Sequence, residues 1–167
     1  MGPVPFSEPE TANIKSYLEG LPQIPALGHS VHSYSQLWLW PYGYNYNALP
    51  DNWQEIKQLA EDASEALYNI HNTNFVPTNS ANLCRCSTSF NNNYFISFII
   101  DPAAGASDDW YKGDLGTRYA FTTELRDTGY YGFELPPEQI IVSGEEFFAG
   151  MKVVFNQIIQ DHNDDRP

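Results

Sequence analysis

The stretch from Asp51 to Ile70 limits the choice of fold more than any other part of this 167-residue chain. Trp53, Ile56, Ala60, Ala63, Leu67 and Ile70 recur at spacings of three and four residues, which sets all six on one stripe of an α-helix. Glu55, Lys57, Gln58, Glu61, Asp62 and Glu65 fill the rest of its circumference. Such a helix covers a core, so the chain must supply an apolar layer beneath it. Two runs can do so. Ile24–Tyr44 is apolar and aromatic with few charges, cut by Pro25, Gly28, Pro41 and Gly43. It reads as a buried strand ending near Val31 and a second strand over Leu37–Trp40. Arg118–Leu125 is rich in β-formers and reads as a third, closed by the polar turn Arg126–Gly129.

The flanking segments are weaker in pattern. Ser7-Glu8-Pro9-Glu10 has the form of a capping box with Pro in the first turn and predicts a helix to about Leu21. Ser143-Gly144-Glu145-Glu146 is a second such box. The helix it opens would bury Phe147, Met151, Val154, Phe155 and Ile158. Thr73–Phe90 is a Ser, Thr and Asn cluster and reads as loop. Tyr94–Ile100 is an apolar run without alternation, abutting the turn signal Asp101-Pro102. Ala103–Gly113 carries turn and helix-start chemistry, and Asp161–Pro167 reads as a frayed tail.

Length predicts one domain, since domains hold roughly 100–200 residues. Eight basic against twenty-one acidic side chains leave a net charge of −13. Phosphate backbones and anionic membranes are read by Lys and Arg clusters, and none occurs here, which excludes nucleic acid and membrane surfaces as partners. The acidic balance fits basic substrates or simple solubility. No run approaches the ~20 apolar residues of a membrane-spanning helix. Met1-Gly2-Pro3-Val4-Pro5 has neither the basic nor the apolar region of a signal peptide. Cys84 and Cys86 are the only cysteines. Two residues apart they make a poor disulfide, and without further Cys or His at ligand spacing they carry no metal.

Four places could carry chemistry. His32 follows a strand, where open α/β sheets place their sites; the plainer reading is a hydrogen-bonded structural imidazole. Glu124 is a carboxylate inside an apolar strand. Burial would raise its pKa into the range of a general base, whereas a solvent-facing Glu or a pair with Arg126 would not. Of the adjacent Asp108 and Asp109, one can cap a helix and the other can meet a cation. Trp38, Trp40, Tyr42, Tyr44 and Tyr46 could stack a sugar or alternate between core and surface.

His32-Ser33-Tyr34-Ser35-Gln36-Leu37, followed by Tyr42-Gly43-Tyr44, resembles the third-ligand segment of the zinc carboxypeptidases of the A/B digestive type. Thr123-Glu124-Leu125-Arg126-Asp127-Thr128-Gly129, followed by Tyr131-Gly132-Phe133, resembles the catalytic-glutamate strand of the same family. Pro102–Trp110 and the opening Gly2–Thr11 are similar to it too, in an invertebrate style. The resemblance implies an α/β fold, a partial mixed sheet flanked by helices. It implies Zn2+ as cofactor, peptide or protein C-termini as substrates, and an extracellular, secreted setting. His32 would be a zinc ligand and Glu124 the general base that deprotonates the zinc-bound water. Ser33, Tyr34 and Phe133 would line subsites on the substrate's N-terminal side. Asp108 would floor the pocket for the C-terminal side chain, where an acid implies a B-type preference for Lys or Arg.

The chain also departs from the family pattern. Zinc in carboxypeptidase A is held by two His and one Glu, two of them from a His-x-x-Glu motif. No His here has Glu three residues later. His29 and His32 lie three apart, but on a strand they point to opposite faces. Asp101 stands where the family has a mobile Tyr, and residues 84–100 read as an insertion without a family counterpart. The chain therefore reads as the C-terminal half of one peptidase domain, residues 1–167, inactive by itself. The rival is a non-catalytic module binding peptide or glycan on the same fold; zinc-dependent release of a C-terminal residue separates the two. Natural substrate and oligomeric state are not legible in the sequence.

Overall fold

The structure, a computed structural model, describes residues 2–83 and 102–164. Four helices and four strands follow one another as α1 (Pro9–Glu19), β1 (Leu27–Ser33), β2 (Leu37–Trp40), α2 (Trp53–His71), β3 (Val76–Asn79), α3 (Ser107–Gly113), β4 (Tyr119–Leu125) and α4 (Gln139–Asp164), with a short 3-10 turn at Ser80–Asn82. The strands form one mixed sheet in the order β1-β4-β2-β3. β1 and β4 run parallel, β4 and β2 antiparallel, β2 and β3 parallel. The α/β class with a partial mixed sheet is therefore as the sequence implied. No helix among the described residues is long and apolar enough to cross a membrane.

The amphipathic stripe does what its spacing requires. Ile56, Ala60, Ala63 and Leu67 of α2 are buried, packed with Trp38 and Trp40 of β2, Tyr119 and Phe121 of β4, and Met151 and Val154 of α4. Gly150 lies where α4 crosses α2. A Cβ there would sit 2.8 Å from the Trp38 ring and 3.2 Å from the Ala63 carbonyl, so the close approach needs glycine. β4 is buried along nearly its whole length: Phe121 and Thr123 face this core, while Thr122 and Glu124 face the opposite side. The two faces of one central strand thus separate core from site.

Several expectations are corrected. Ser7 does not cap α1; Glu8 occupies the cap without a side-chain bond, because the Ser7 hydroxyl donates to the Glu8 carboxylate instead. β1 starts at Leu27 and its second half is exposed. Ile70 is exposed at the end of α2, where the stripe runs past the sheet. The Thr73–Phe90 loop contains β3, which Pro77 disguised; an edge strand tolerates Pro because one side needs no ladder donor. Ser143 is no cap but a buried residue inside α4, which begins after Pro136-Pro137. Phe155 is exposed. Asp161 does not fray, since Tyr119 donates a hydrogen bond to it at 2.8 Å. The expected turn and helix within Ala103–Gly113 appear as α3. The expectations for Tyr94–Ile100 and for the inserted segment fall on residues outside those described.

Candidate functional site

Register brings the two chemical candidates side by side. His32 is the Cα partner of Glu124 in the parallel β1–β4 ladder, so both side chains project from the same face of the sheet. His29 projects from the other face. Its Nε2 lies 2.8 Å from the Thr123 hydroxyl, and its ring meets those of Trp38 and Phe147 edge-on. Burial holds the His29 pKa down to about 4. The two imidazoles therefore have separate environments, one inside the core and one at the site.

His32 and Glu124 line a cavity of about 260 Å3 whose lining also includes Asp108, Ser80, Leu39 and Thr122. Helix α3 packs on β1 and β4, and this sets the first-turn residue Asp108 across from Glu124. Asp108 is fully buried. One carboxylate oxygen, Oδ2, accepts from Ser80 Oγ at 2.6 Å; the other, Oδ1, is buried without a hydrogen-bond partner among the described residues. Burial pushes the Asp108 pKa up, against the Ser80 bond and the N–H groups of its own turn. Burial likewise raises the Glu124 pKa, offset in part by the nearby His32. Glu124 is not paired with Arg126. That arginine instead reaches α4, donating from Nε to Glu146 Oε2 at 2.7 Å and from Nη1 to Gln139 Oε1 at 2.8 Å.

Neither acid of the Asp108–Asp109 pair is the N-cap of α3, a position Ala106 takes. Asp109 accepts from the buried Gly43 N–H at 2.7 Å and so ties α3 to the turn after β2. Burial pushes its pKa up to about 6. Beyond α3 lies a larger cavity of about 680 Å3, walled by Phe6, Tyr42, Tyr44 and Trp110; His32, Glu124 and Asp108 are not part of it. Trp38 and Trp40 are buried in the core, whereas Tyr44 and Tyr46 are exposed, so the aromatic run splits between core and surface.

The three remaining candidates are not part of the lining of the His32–Glu124 cavity. Ser33 ends β1 and is exposed. Tyr34 packs edge-on against Phe133, ring centroids 5.0 Å apart. The Asp127–Gly129 turn carries Phe133 there: Asp127 accepts from Gly129 N at 2.8 Å and from Tyr131 N at 3.0 Å. Gly129 has φ +115° and lies against Tyr34, a conformation and a closeness that favour glycine. Sequence reasoning missed Ser80. Its signal would have been β3, since Ser80 follows directly on that strand.

As a metal centre the site is incomplete among the described residues. Ser30 Oγ lies 2.8 Å from His32 Nε2, the kind of contact that orients a ligand ring and leaves Nδ1 for the metal. Catalytic zinc takes three protein ligands. Among the described residues no group of three His, Cys, Asp or Glu side chains could hold a metal ion. These residues therefore fit zinc with one ligand and do not make a closed site.

Comparison with known proteins bears on the same residues. The family model described as zinc carboxypeptidase matches residues 1–150. Carboxypeptidase B of the crayfish Astacus astacus is 44% identical over 155 residues, 93% of this chain and 46% of the relative. Mouse carboxypeptidase A2 is 37% identical over 161 residues, 96% of this chain and 34% of the relative. Among solved structures, bovine thrombin-activatable fibrinolysis inhibitor in complex with tick carboxypeptidase inhibitor superposes with a TM-score of 0.81 at 30% identity, over 96% of this chain and 48% of that one. The chain thus spans half or less of the length of these relatives.

Proposed function

Because this chain belongs to the zinc carboxypeptidase family, we propose that it supplies the general base and the side-chain pocket of a metallocarboxypeptidase, which hydrolyses the C-terminal peptide bond of peptides. The observation that carries this reading is one cavity lined by His32, Glu124 and Asp108.

Glu124 is the base. A carboxylate with a raised pKa holds a proton more readily than an exposed one, so it can take a proton from water and return it to the leaving amine. Zinc, when bound, polarises the scissile carbonyl and acidifies water. His32 would offer one nitrogen to it, and the further ligands would come from outside the described set. The chain alone is accordingly inactive. Asp108 selects the substrate. Its unpartnered, buried Oδ1 costs free energy until a cation meets it, so a C-terminal Lys or Arg side chain fits and a Leu leaves the carboxylate uncompensated. The Tyr34–Phe133 ring pair would serve residues upstream of the cleaved bond, with Ser33 next in sequence. The family setting supports secretion and peptide C-termini as partners.

A chimera tests this: the present chain replaces the matching part of crayfish carboxypeptidase B. Zinc-dependent release of C-terminal Arg, lost in the Glu124→Gln chimera, is expected. Full activity in that variant would exclude Glu124 as the base. Peptide binding without zinc-dependent release would favour the binding-module alternative.

A further inference from the structure

Tyr42, Tyr44 and Asp109 have no part in peptide hydrolysis as described above, yet all three line the larger cavity beyond α3. Gly105 and Ala106 line this cavity and that of Glu124 alike, so one short segment divides the two. The adjacent acids that follow it are shared out between them: Asp108 lines the smaller cavity and Asp109 the larger. Their bonding is alike. Each has one oxygen held by a donor, Ser80 Oγ at 2.6 Å for Asp108 and the Gly43 N–H at 2.7 Å for Asp109. Each leaves the other oxygen buried without a hydrogen-bond partner among the described residues. Asp109 is only 9% exposed, and a buried acceptor left unpaired costs free energy until a positive group compensates it.

The walls suit such a group. Phe6 meets Trp110 edge-on, with ring centroids 5.4 Å apart, and the Tyr42 and Tyr44 rings lie 5.2 Å apart. Phe6 is held at φ +58°, in the left-handed region that a bulky residue enters only where its surroundings demand it. Its ring already receives a cation from this chain, since Lys15 Nζ lies 5.3 Å from the centroid. Asp114 adds a second carboxylate, and no Lys, Arg or His is among the described lining residues. Burial, and then the negative charge of Tyr44, Asp109, Asp51 and Asp114, push the Tyr42 pKa up.

We propose that this cavity binds an organic cation, an alkylammonium or guanidinium group whose carrier has no carboxylate beside it. Aromatic faces attract a weakly hydrated cation through the ring quadrupole, and the Asp109 carboxylate neutralises it. A metal ion is the poorer occupant, because no three acids or imidazoles among the described residues converge on one point. A free amino acid would bring its own carboxylate against two acids and no base. A sugar could stack on the rings but would leave the charge of Asp109 unanswered. The net charge of −13 draws cations toward the chain. The proposal does not depend on the catalytic reading, which uses the other cavity.

The test is an NMR titration of the 15N-labelled full chain, read at the indole N–H of Trp110, which is assigned with Trp110→Phe. The probes are n-butylammonium, a free amine, and Nα-acetyl-lysine amide, a side chain as a peptide carries it. Both should shift the signal saturably. Equal affinities identify the free amine as a sufficient ligand, and tighter binding of the lysine amide identifies a peptide side chain; either supports the proposal. Neutral n-butanol and free lysine should bind on the order of tenfold more weakly. Asp109→Asn, which keeps an oxygen for the Gly43 N–H, should weaken butylammonium about tenfold. Tyr44→Leu, at an exposed side chain, should weaken it about threefold. Asp108→Asn, in the other cavity, should leave it unchanged. Circular dichroism checks that each variant is folded, and should Asp109→Asn fail to fold, Tyr44→Leu decides. Four results would overturn the proposal: no saturable shift, n-butanol or methyl glucoside binding as well as butylammonium, magnesium displacing butylammonium at equal concentration, or a shift lost in Asp108→Asn and kept in Tyr44→Leu.

Discussion

His29 should make the fold sensitive to mild acid. Its imidazole is packed against Trp38 and Phe147 and its Nδ1 is buried without a hydrogen-bond partner among the described residues. A proton added there would put a charge in a place with nothing to meet it. The group titrates at about 4 in the folded chain and at about 6.5 when unfolded. A histidine whose folded pKa is depressed contributes its full stability above pH 6.5. That contribution is lost as the unfolded chain takes up the proton first, between pH 6.5 and about 4. Below pH 4 both states are protonated and the loss stops. The total is about 3 kcal/mol, at 1.36 kcal/mol for each pH unit between the two pKa values.

Urea titrations at half-unit steps from pH 8 to 4 measure this, provided the opposing groups are removed from the comparison. Asp109 titrates at about 6 in the folded chain, and burial raises Asp108 and Glu124 too. These acids bind protons more readily folded than unfolded, so they add stability as pH falls through the same window. The native profile is therefore a partial cancellation. His29→Gln keeps an amide within reach of the Thr123 hydroxyl and cannot take a proton. The difference between the two stability profiles isolates the imidazole: it should change by about 3 kcal/mol between pH 7.5 and 4. Parallel profiles, or an NMR titration of His29 with a midpoint near 6.5, would falsify the reasoning.

Other outcomes follow from particular contacts. Arg126→Met should lower stability by about 3–5 kcal/mol in denaturant titrations, because it leaves the fully buried Glu146 carboxylate charged and alone. In the crayfish chimera, Glu124→Gln should depress kcat by about 10²- to 10⁴-fold with KM little changed, the size of a lost general base. Asp108→Ile should invert the ratio of kcat/KM for peptides ending in Arg and in Leu; a ratio that does not move would remove Asp108 from the pocket. Isothermal titration of zinc into the isolated chain should show no tight stoichiometric site, and one abolished by His32→Ala would contradict this.

What could be read from sequence was what depends on periodicity within one element. The α2 stripe, the β2 tetrapeptide and β4 were all marked by spacing or by β-forming residues, and each appears within two residues of its expected bounds. What could not be read depends on partners far along the chain. The end of α4 looks polar and frayed until Tyr119 and Arg118 of the sheet reach Asp161. Ser143 looks like a cap because its own neighbours suit one, but the helix begins earlier and Ser143 is buried inside it. β3 is a strand only because β2 lies beside it, in parallel register from Leu37↔Val76 to Trp40↔Asn79.

The site follows the same division. Glu124 was legible because an acid in an apolar strand is unusual, and His32 because it follows a strand; that the ladder sets the two opposite each other was not. Burial of Asp108 could not be inferred from Ser107-Asp108-Asp109-Trp110, which reads equally well as a cap. What decides between the readings is Ser80, whose hydroxyl fixes Oδ2 and leaves Oδ1 a buried acceptor without a partner among the described residues. Remove the Ser80 hydroxyl, and the carboxylate loses its side-chain donor and keeps only the N–H groups of its own turn; the carboxyl would then be easier to protonate and poorer at discriminating a cation. Ser80→Ala should therefore shift the loss of Arg preference in the chimera to higher pH, with Leu-terminated peptides unaffected. If the pH profiles of the two peptides move together, or neither moves, Ser80 has no part in holding Asp108 ionised, and the pocket's selectivity rests on shape alone.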